Sequence, residues 1–280
     1  MKIIKVYSVE ETLARLEEAT ASTASEMIIA GGTDLFVKKR AGIIAPSLLL
    51  DISAVDELRT ITEIDGKIEI GAVATFSEIL DAKIVQAKLP ILVAAIAQLG
   101  SVQIRNRATI GGNIVNASPA GDSLVPLYLL DAMVIVRSAR CRREIPIVDF
   151  IAGPGQTVLA PAEFIERVSI PLPDPLLAPS FHKVGRRKAL TISICSLGTL
   201  INRHNGIIKE ARIAFGAVAP TVVRAYEVES LLAGATIDMD LIAIARRLIQ
   251  KAILPIGDIR ASAAYRRQVA EDLLVAILTS

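Results

Sequence analysis

The stretch AGGTDLFVKKR, residues 30–40, sets two adjacent glycines between an apolar run and the start of a helix. The apolar residues 27–29 predict a strand, and Thr33 or Asp34 can cap the helix that follows. Glycines let the backbone approach another group closely, and amides at such a turn can bind an anion. The stretch contains neither GxGxxG nor GxxxxGK[ST], so it predicts neither of the two common phosphate loops. Taken alone, this glycine pair is better explained by a plain tight turn than by a phosphate site.

A second glycine pair occurs in RATIGGNIVNASPAGD, residues 107–122. Short polar side chains flank this pair: Thr109, Asn113, Asn116, Ser118 and Asp122. Side chains this small fill a hydrophobic core poorly, but they suit the polar lining of a binding site. Two such turns could hold a long molecule that carries two phosphates, because backbone amides can supply the donors in place of lysine or arginine.

Composition narrows the class of function. The chain has 280 residues, which is enough for two domains. Its net charge is only +2 and aromatic residues make up only 4%, so the sequence does not predict nucleic-acid binding. Hydrophobic residues make up 52% of the chain, yet no apolar run reaches the roughly 20 residues that span a bilayer. The N-terminus lacks the long apolar stretch of a signal peptide, and we therefore expect a cytoplasmic protein. The apolar surplus fits either a large core or a subunit with permanently buried faces.

Signals for metal binding and for side-chain catalysis are weak. The two cysteines, Cys141 and Cys195, stand far apart, and neither has a second cysteine or a histidine at metal-ligand spacing. The sequence has two histidines, His182 and His204, and offers little for a Ser-His-Asp triad. We therefore expect no metal ligands in this chain, which can hardly hold an iron–sulfur cluster, a zinc site or such a triad unaided.

Hydrophobic patterns predict alternating strands and helices over the first 170 residues. Ser77-Glu78 could cap the predicted helix EILDAKIV, residues 78–85, and Gly100 is expected to end the helix LPILVAAIAQLG, residues 89–100. Residues 132–150 are expected to form a hairpin. The proline-rich stretch PLPDPLLAP excludes helix and central strand, so we expect a domain boundary near residues 172–179. Beyond it, Asn205-Gly206 predicts the turn of a long hairpin between LTISICSLGTLIN and GIIKEARIAFGAV, which helices follow.

The motifs AGGTD, QIRNRATIGGN and ASPAGD resemble those of the flavin-binding medium subunit in the xanthine dehydrogenase and carbon monoxide dehydrogenase family, the molybdenum hydroxylases. The resemblance continues through GPGQTVLAPAEFI, FHKVGRRKALTIS, FGAVAPTVVRA and DIRASAAYRR. It covers nearly the whole chain, in order and at family-like spacing.

The resemblance implies an α+β fold with two domains. Residues 1–175 would form an FAD-binding domain like that of the vanillyl-alcohol-oxidase superfamily, with subdomains of about 1–55 and 56–175 and the FAD between them. Residues 176–280 would form a small domain of antiparallel strands and helices, like the C-terminal domain of carbon monoxide dehydrogenase flavoproteins.

The resemblance also implies which residues bind FAD. The pyrophosphate would lie along Met27, Ile28, Ile29, Ala30, Gly31, Gly32, Thr33 and Asp34, with the glycines donating amides. A second wall would comprise Thr109, Ile110, Gly111, Gly112 and Asn113. Asp122 would contact the polar middle of the cofactor, Ile165 would pack near it, and Lys183 would lie near the isoalloxazine edge.

Each of the last three residues has an alternative role. Asp122 could be a helix N-cap, Ile165 a core strand residue and Lys183 an ordinary surface lysine. The sequence departs from the family at Thr191, where many relatives carry an acidic residue, so contacts near Lys183 could differ. It lacks the cysteine-bearing insertion of hydroxybenzoyl-CoA-reductase-like relatives, so no extra four-iron cluster is expected. We expect packing roles for Asp258, Arg260 and Tyr265.

The function implied by the resemblance is electron transfer within a complex. A large subunit would hold the molybdenum cofactor, a small subunit two [2Fe–2S] clusters, and FAD in this chain would pass electrons to NAD+ or another acceptor. Xanthine, another purine or an N-heteroaromatic acid would be the substrate. Two alternatives remain open: a free-standing FAD oxidoreductase of the same wider fold, and a non-enzymatic module that binds a nucleotide.

Overall fold

The computed structural model describes residues 1–20, 26–187 and 190–279. Lys188 and Ala189 of the FHKVGRRKALTIS motif lie outside the described residues. The chain divides into two compact units, the first comprising Met1–Ile84, Ser101–Asn116 and Ala132–Pro171, and the second Val85–Gly100, Ala117–Asp131 and Leu172–Ser280. The predicted domain of residues 1–175 thus contributes three of its segments to the second unit, Val85–Gly100, Ala117–Asp131 and residues 172–175.

The first unit begins with a parallel three-stranded sheet. Its strands are β1 (Lys2–Lys5), β2 (Glu26–Ile29) and β3 (Leu48–Asp51), in the order β1-β3-β2. Helix α1 (Val9–Thr20) follows β1, and helix α2 (Leu35–Arg40) follows β2. The strand, glycine turn and helix predicted around residues 27–36 are therefore present, and the glycine turn leaves the sheet at the carboxyl end of β2.

Two short helices follow in a part of the chain where the sequence prediction was partly wrong. The elements are β4 (Ile61–Ile64), β5 (Lys67–Gly71), α3 (Phe76–Asp81) and α4 (Lys83–Lys88), after a single 3₁₀ turn at Asp56–Leu58. Thr75, not Ser77, caps α3: its hydroxyl accepts the Glu78 amide while the Glu78 carboxylate accepts the Thr75 amide. The helix then breaks at the extended residue Ala82 instead of running on to residue 85.

An antiparallel five-stranded sheet completes the first unit. Its strand order is β4-β5-β10-β6-β7, where β6 is Met133–Arg137, β7 is Arg142–Pro146 and β10 is Phe164–Pro171. Strands β6 and β7 form the predicted hairpin, with Val134 opposite Ile145. The remaining elements of this unit are α6 (Val102–Arg105), α7 (Ile110–Asn116), α9 (Ile147–Phe150), β8 (Ile151–Gly153) and β9 (Gln156–Thr157).

The second unit is an antiparallel sheet packed with helices. Its elements are α5 (Pro90–Ala97), α8 (Leu124–Leu129), β11 (Ala178–Val184), β12 (Cys195–His204), β13 (Ile207–Gly216), β14 (Val223–Arg224), α10 (Tyr226–Leu232), α11 (Met239–Ala252) and α12 (Ala263–Thr279). Helix α5 ends at Ala97, so Gly100 follows the helix at some distance.

The predicted long hairpin is confirmed in this unit. Asn205 and Gly206 both have positive φ, 50° and 79°, which is the backbone that a two-residue hairpin turn requires. Strand β12 begins at Cys195, five residues later than the apolar pattern from Leu190 predicted, because Leu190 has a positive φ of 54° and residues 191–194 lie in a loop. Leu197, Ile213 and Phe215 pack with α10, α11 and α12 into the core. Within the described part of the chain, no helix is long and apolar enough to cross a membrane.

Candidate functional site

The two glycine-rich segments meet inside the first unit. A Cβ placed on Gly31 would lie 1.9 Å from the carbonyl oxygen of Arg107 and 3.1 Å from the Cα of Ala108. Real Cβ atoms never come so close to backbone, so only glycine fits at position 31. The close approach that the sequence suggested is therefore, at this residue, an approach to the chain itself.

The turn at residues 30–34 exposes a row of backbone donors. No described residue accepts a hydrogen bond from the amides of residues 31–34. Gly32 has a positive φ of 73°, and its carbonyl accepts the Phe36 amide as α2 begins. Asp34 occupies the N-cap position without a side-chain cap bond, so the capping role considered for it is absent. Consecutive amides without an internal partner can bind an anion.

The residues of β2 lead into this turn. Met27 and Ile28 are half-buried and Ile29 is buried, where β2 pairs with β3 in parallel. Ala30 and Thr33 are half-buried, and Asp34 is exposed. The first predicted set, residues 27–34, thus forms one continuous strand and turn.

The second glycine pair differs from the first, because its amides already have partners. The Ile110 and Gly111 amides donate to the carbonyls of Ala74 and Ala72, and the Gly112 amide donates to the Thr109 hydroxyl. A Cβ on Gly111 would lie 2.7 Å from the Cβ of Ala72, so this glycine also permits close packing within the chain. What this segment offers to a ligand is the exposed surface of Gly112, not a row of donors.

Asp122 and Lys183 form a buried ion pair in the second unit. The Lys183 Nζ donates to Asp122 Oδ2 at 2.6 Å and to the Gln98 carbonyl at 2.9 Å, and both side chains are 5% exposed. The Ser193 hydroxyl donates to Asp122 Oδ1 at 2.5 Å. Burial raises the pKa of Asp122, although Lys183 and Ser193 both oppose that rise. Neither alternative holds, because Lys183 is not a surface lysine and the N-cap of α8 is Ser123.

Ile165 lies in the core of the five-stranded sheet. It is 4% exposed on β10 and pairs with Val136 of β6. Its strand contacts α7, the helix that contains the second glycine pair. Its position fits the core strand role that the sequence left open.

Comparison with known protein families shows to which family this chain belongs. Residues 1–173 match the family described as FAD binding domain in molybdopterin dehydrogenase. Residues 180–280 match the family described as CO dehydrogenase flavoprotein C-terminal domain. The chain belongs to the FAD-binding medium subunits of the molybdenum hydroxylase family. Both predicted parts of the α+β fold are confirmed by these matches, and FAD is the cofactor of this chain.

Individual members of the family match over almost their full length. The glyceraldehyde dehydrogenase medium chain of Sulfolobus acidocaldarius is 31% identical over 96% of this chain and 94% of its own. The xanthine dehydrogenase FAD-binding subunit of Escherichia coli O157:H7 is 30% identical over 98% and 94%. Carbon monoxide dehydrogenase from Hydrogenophaga pseudoflava, solved without the Mo-pyranopterin moiety of its molybdenum cofactor, contains a chain that superposes with a TM-score of 0.91. That superposition covers 98% of this chain and 94% of the other, at 26% identity.

The residues of the medium subunit fit FAD. The pyrophosphate of FAD needs hydrogen-bond donors, and the amides of residues 31–34 are donors without a described acceptor. Among the described residues there is no group of three or more histidine, cysteine or carboxylate side chains placed to hold a metal ion. Within the described chain, the amides of residues 31–34 are thus free to donate to a pyrophosphate group.

Sequence reasoning missed two residues that organise the second unit. Ser193, the last residue of the FHKVGRRKALTIS motif, donates to the Asp122 carboxylate, and sequence reasoning assigned it no role. Arg266, in the DIRASAAYRR motif, is buried, donates to the carbonyls of Ile194 and Ala217 at 2.6 and 3.0 Å, and pairs with Asp258 at 2.9 Å. Burial opposes ionisation of Asp258, but hydrogen bonds from Arg260 and Arg266 outweigh it, so the pKa of Asp258 lies well below its usual range.

Proposed function

We propose that residues 27–34 hold the pyrophosphate of FAD, with the amides of residues 31–34 as the donors. The observation that carries this assignment is the row of amides that lack a described acceptor, in a turn fixed by the Gly31–Arg107 approach. Residues 109–113 directly follow Arg107 and Ala108, which lie against this turn, and we propose that they form a second wall for the cofactor. Ile165 supports that wall from β10.

We propose that Asp122 and Lys183 act on the flavin part of the cofactor. A lysine ammonium beside a flavin favours the negative charge that the ring system gains on reduction. In this chain the ammonium is fixed by the Asp122 carboxylate and the Gln98 carbonyl, so its position is set in advance. No side chain is assigned as a catalytic acid, base or nucleophile, because this chain serves to bind and tune FAD.

We propose that the chain works as the electron-transfer subunit of a complex. Bound FAD would supply the redox chemistry, which is the transfer of electrons from the [2Fe–2S] clusters of a small subunit to NAD+ or another acceptor. A large subunit with the molybdenum cofactor would carry the substrate site. Relatives of similar identity are named for an aldehyde and for a purine, which supports a substrate choice made outside this chain.

Further details rest on the sequence. Xanthine, another purine or an N-heteroaromatic acid is the proposed substrate, and the cytoplasm is the proposed location. The proposed domain boundary lies near residues 172–179, and the first family match ends at residue 173 while the second begins at residue 180.

The test is to purify this chain from its native source, with no affinity tag on any partner subunit. The proposal predicts a flavin spectrum overlaid with iron–sulfur absorbance, and two co-purifying chains, one with molybdenum and one with iron. A lone yellow chain that reduces an acceptor unaided would favour the free-standing oxidoreductase instead. A chain that binds FAD but passes no electrons would favour the non-enzymatic module.

A further inference from the structure

An arginine-rich pocket lies in the first unit, at the end of the β6–β7 hairpin. Its volume is about 490 Å³. Four arginines line it, Arg137, Arg140, Arg142 and Arg167, together with the turn residues 138–141 and Leu13 of α1. None of its lining residues belongs to residues 27–34 or 107–113, so the pocket is separate from the glycine turns.

A β-bulge builds the floor of this pocket. The pairing of β10 with β6 shifts register between Ile165 and Arg167, which makes Glu166 the inserted residue. Neighbouring side chains of a regular strand point to opposite faces, but here Glu166 and Arg167 form an ion pair at 2.8 Å. Bulges that redirect a side chain in this way are frequent next to functional sites.

Glu166 holds three of the arginines in place. Its Oε2 accepts from Arg142 at 2.8 Å, and its Oε1 accepts from Arg167 at 2.8 Å and from Arg137 at 3.5 Å. The Glu166 side chain is 6% exposed, whereas the side chains of the three arginines are 29–49% exposed. The arginines are thus anchored at the floor while part of each guanidinium faces the pocket.

The charges of the pocket do not balance. Arg167 also reaches Glu69 at 3.4 Å, so four guanidinium groups face two carboxylates. Arg140 pairs with no carboxylate in the part of the chain that the structure describes. Two positive charges therefore remain uncompensated, on side chains whose planar donor geometry matches phosphate.

We propose that this pocket binds a phosphate-bearing anion, either free phosphate or pyrophosphate or the phosphates of a nucleotide. Glu166 orders the arginines before the ligand arrives, which lowers the entropy lost on binding. Arg140 pairs with no carboxylate of the described chain, so its guanidinium can bind the anion without first breaking an ion pair.

The test uses the full chain with FAD in excess, so that the proposed flavin site is filled, and titrates phosphate, pyrophosphate and ADP by calorimetry. We expect saturable binding of pyrophosphate that weakens as sodium chloride is raised. Equal affinity for pyrophosphate and ADP would assign the site to phosphates alone, and tighter ADP binding would assign it to a nucleotide. The Arg140→Gln variant should bind about tenfold more weakly or worse.

The matched control is Arg247→Gln, which removes the same charge from an exposed arginine of α11. This variant should bind pyrophosphate like the unaltered chain. If pyrophosphate affinity falls equally in both variants, the effect depends on net charge alone and the proposal is overturned. Absence of saturable binding would also overturn it and would leave the pocket as a surface for an acidic partner.

Discussion

Gly31 lies directly against the carbonyl oxygen of Arg107, so that a Cβ at position 31 would sit 1.9 Å from that oxygen. The contact joins two segments that are more than 70 residues apart in sequence. It brings the turn with unpartnered amides against the segment that precedes the second glycine pair. The glycines therefore first shape the protein, and the donors that we propose for FAD depend on that shape.

The Gly31→Ala substitution tests this contact. The added methyl group must displace the Arg107 backbone, and we expect the free energy of unfolding to fall by about 1–3 kcal/mol and FAD affinity to fall with it. Gly153→Ala is the control, because its Cβ would meet nothing closer than 3.7 Å. Urea unfolding and FAD titration of both variants measure the effect, and equal behaviour of the two would contradict it.

The Lys183→Met substitution tests the buried ion pair. Lys183 opposes the rise in the pKa of Asp122, so removing it should raise that pKa further. A carboxyl whose pKa is raised on folding gives stability at low pH that is lost as pH rises through its folded pKa. We therefore expect the variant to lose about 3–5 kcal/mol at pH 8 and less near pH 4.

Urea unfolding of the Lys183→Met variant at several pH values measures this loss. The double variant Lys183→Met, Asp122→Asn has no carboxyl to titrate and should lack the additional loss at high pH. A deficit that is the same at every pH, or that persists in the double variant, would show that the lysine stabilises by packing alone.

Glu166 should contribute stability that disappears in acid. Burial alone would raise its pKa, but hydrogen bonds from Arg167 and Arg142 outweigh that effect, so the pKa lies below its ordinary value of 4.5. Stability from a lowered pKa is present above the ordinary value and is lost as pH falls through the folded one. The difference in unfolding free energy between the unaltered chain and Glu166→Gln should therefore shrink below about pH 4.5. Glu63→Gln, at an exposed position of β4, is the control, and a pH-independent Glu166 difference would count against the arginine pairing.

The two cysteines should differ in reactivity. Cys141 is exposed, whereas Cys195 is buried and burial raises its pKa to about 12 despite the nearby Arg266. An aromatic disulfide reagent should therefore modify one thiol per native chain and two after unfolding. Cys141→Ser should abolish the native reaction, and any remaining fast phase would show that Cys195 is accessible.

Local sequence signals predicted the elements of this fold well. The strand and glycine turn before α2, the β6–β7 hairpin and the Asn205-Gly206 turn each depend on residues close together in sequence. The motifs also identified the family over nearly the whole chain. The cap of α3 was assigned wrongly because Ser77 and Thr75 are both good N-cap residues, and only the fold decides which of them has the extended backbone of a cap.

Contacts between distant residues could not be predicted in this way. The residues around Gly31 in the sequence do not indicate that it packs against Arg107. Those around Ser193 do not indicate that it donates to Asp122. The bulge at Glu166 likewise depends on the partner strand. In each case the partner is set by tertiary packing, whereas periodicity and capping describe only neighbours along the chain. The number of unpartnered amides at a glycine turn is invisible for the same reason.

The central claim is that the amides of residues 31–34 hold the FAD pyrophosphate. The most direct test is the amide NMR spectrum of the isotopically labelled chain, recorded during titrations with FAD and with riboflavin, which lacks phosphate. The account predicts that FAD shifts the amide signals of residues 31–34 strongly and that riboflavin leaves them nearly unchanged. If FAD binds while these four amides keep their signals, the pyrophosphate lies elsewhere and the account is wrong.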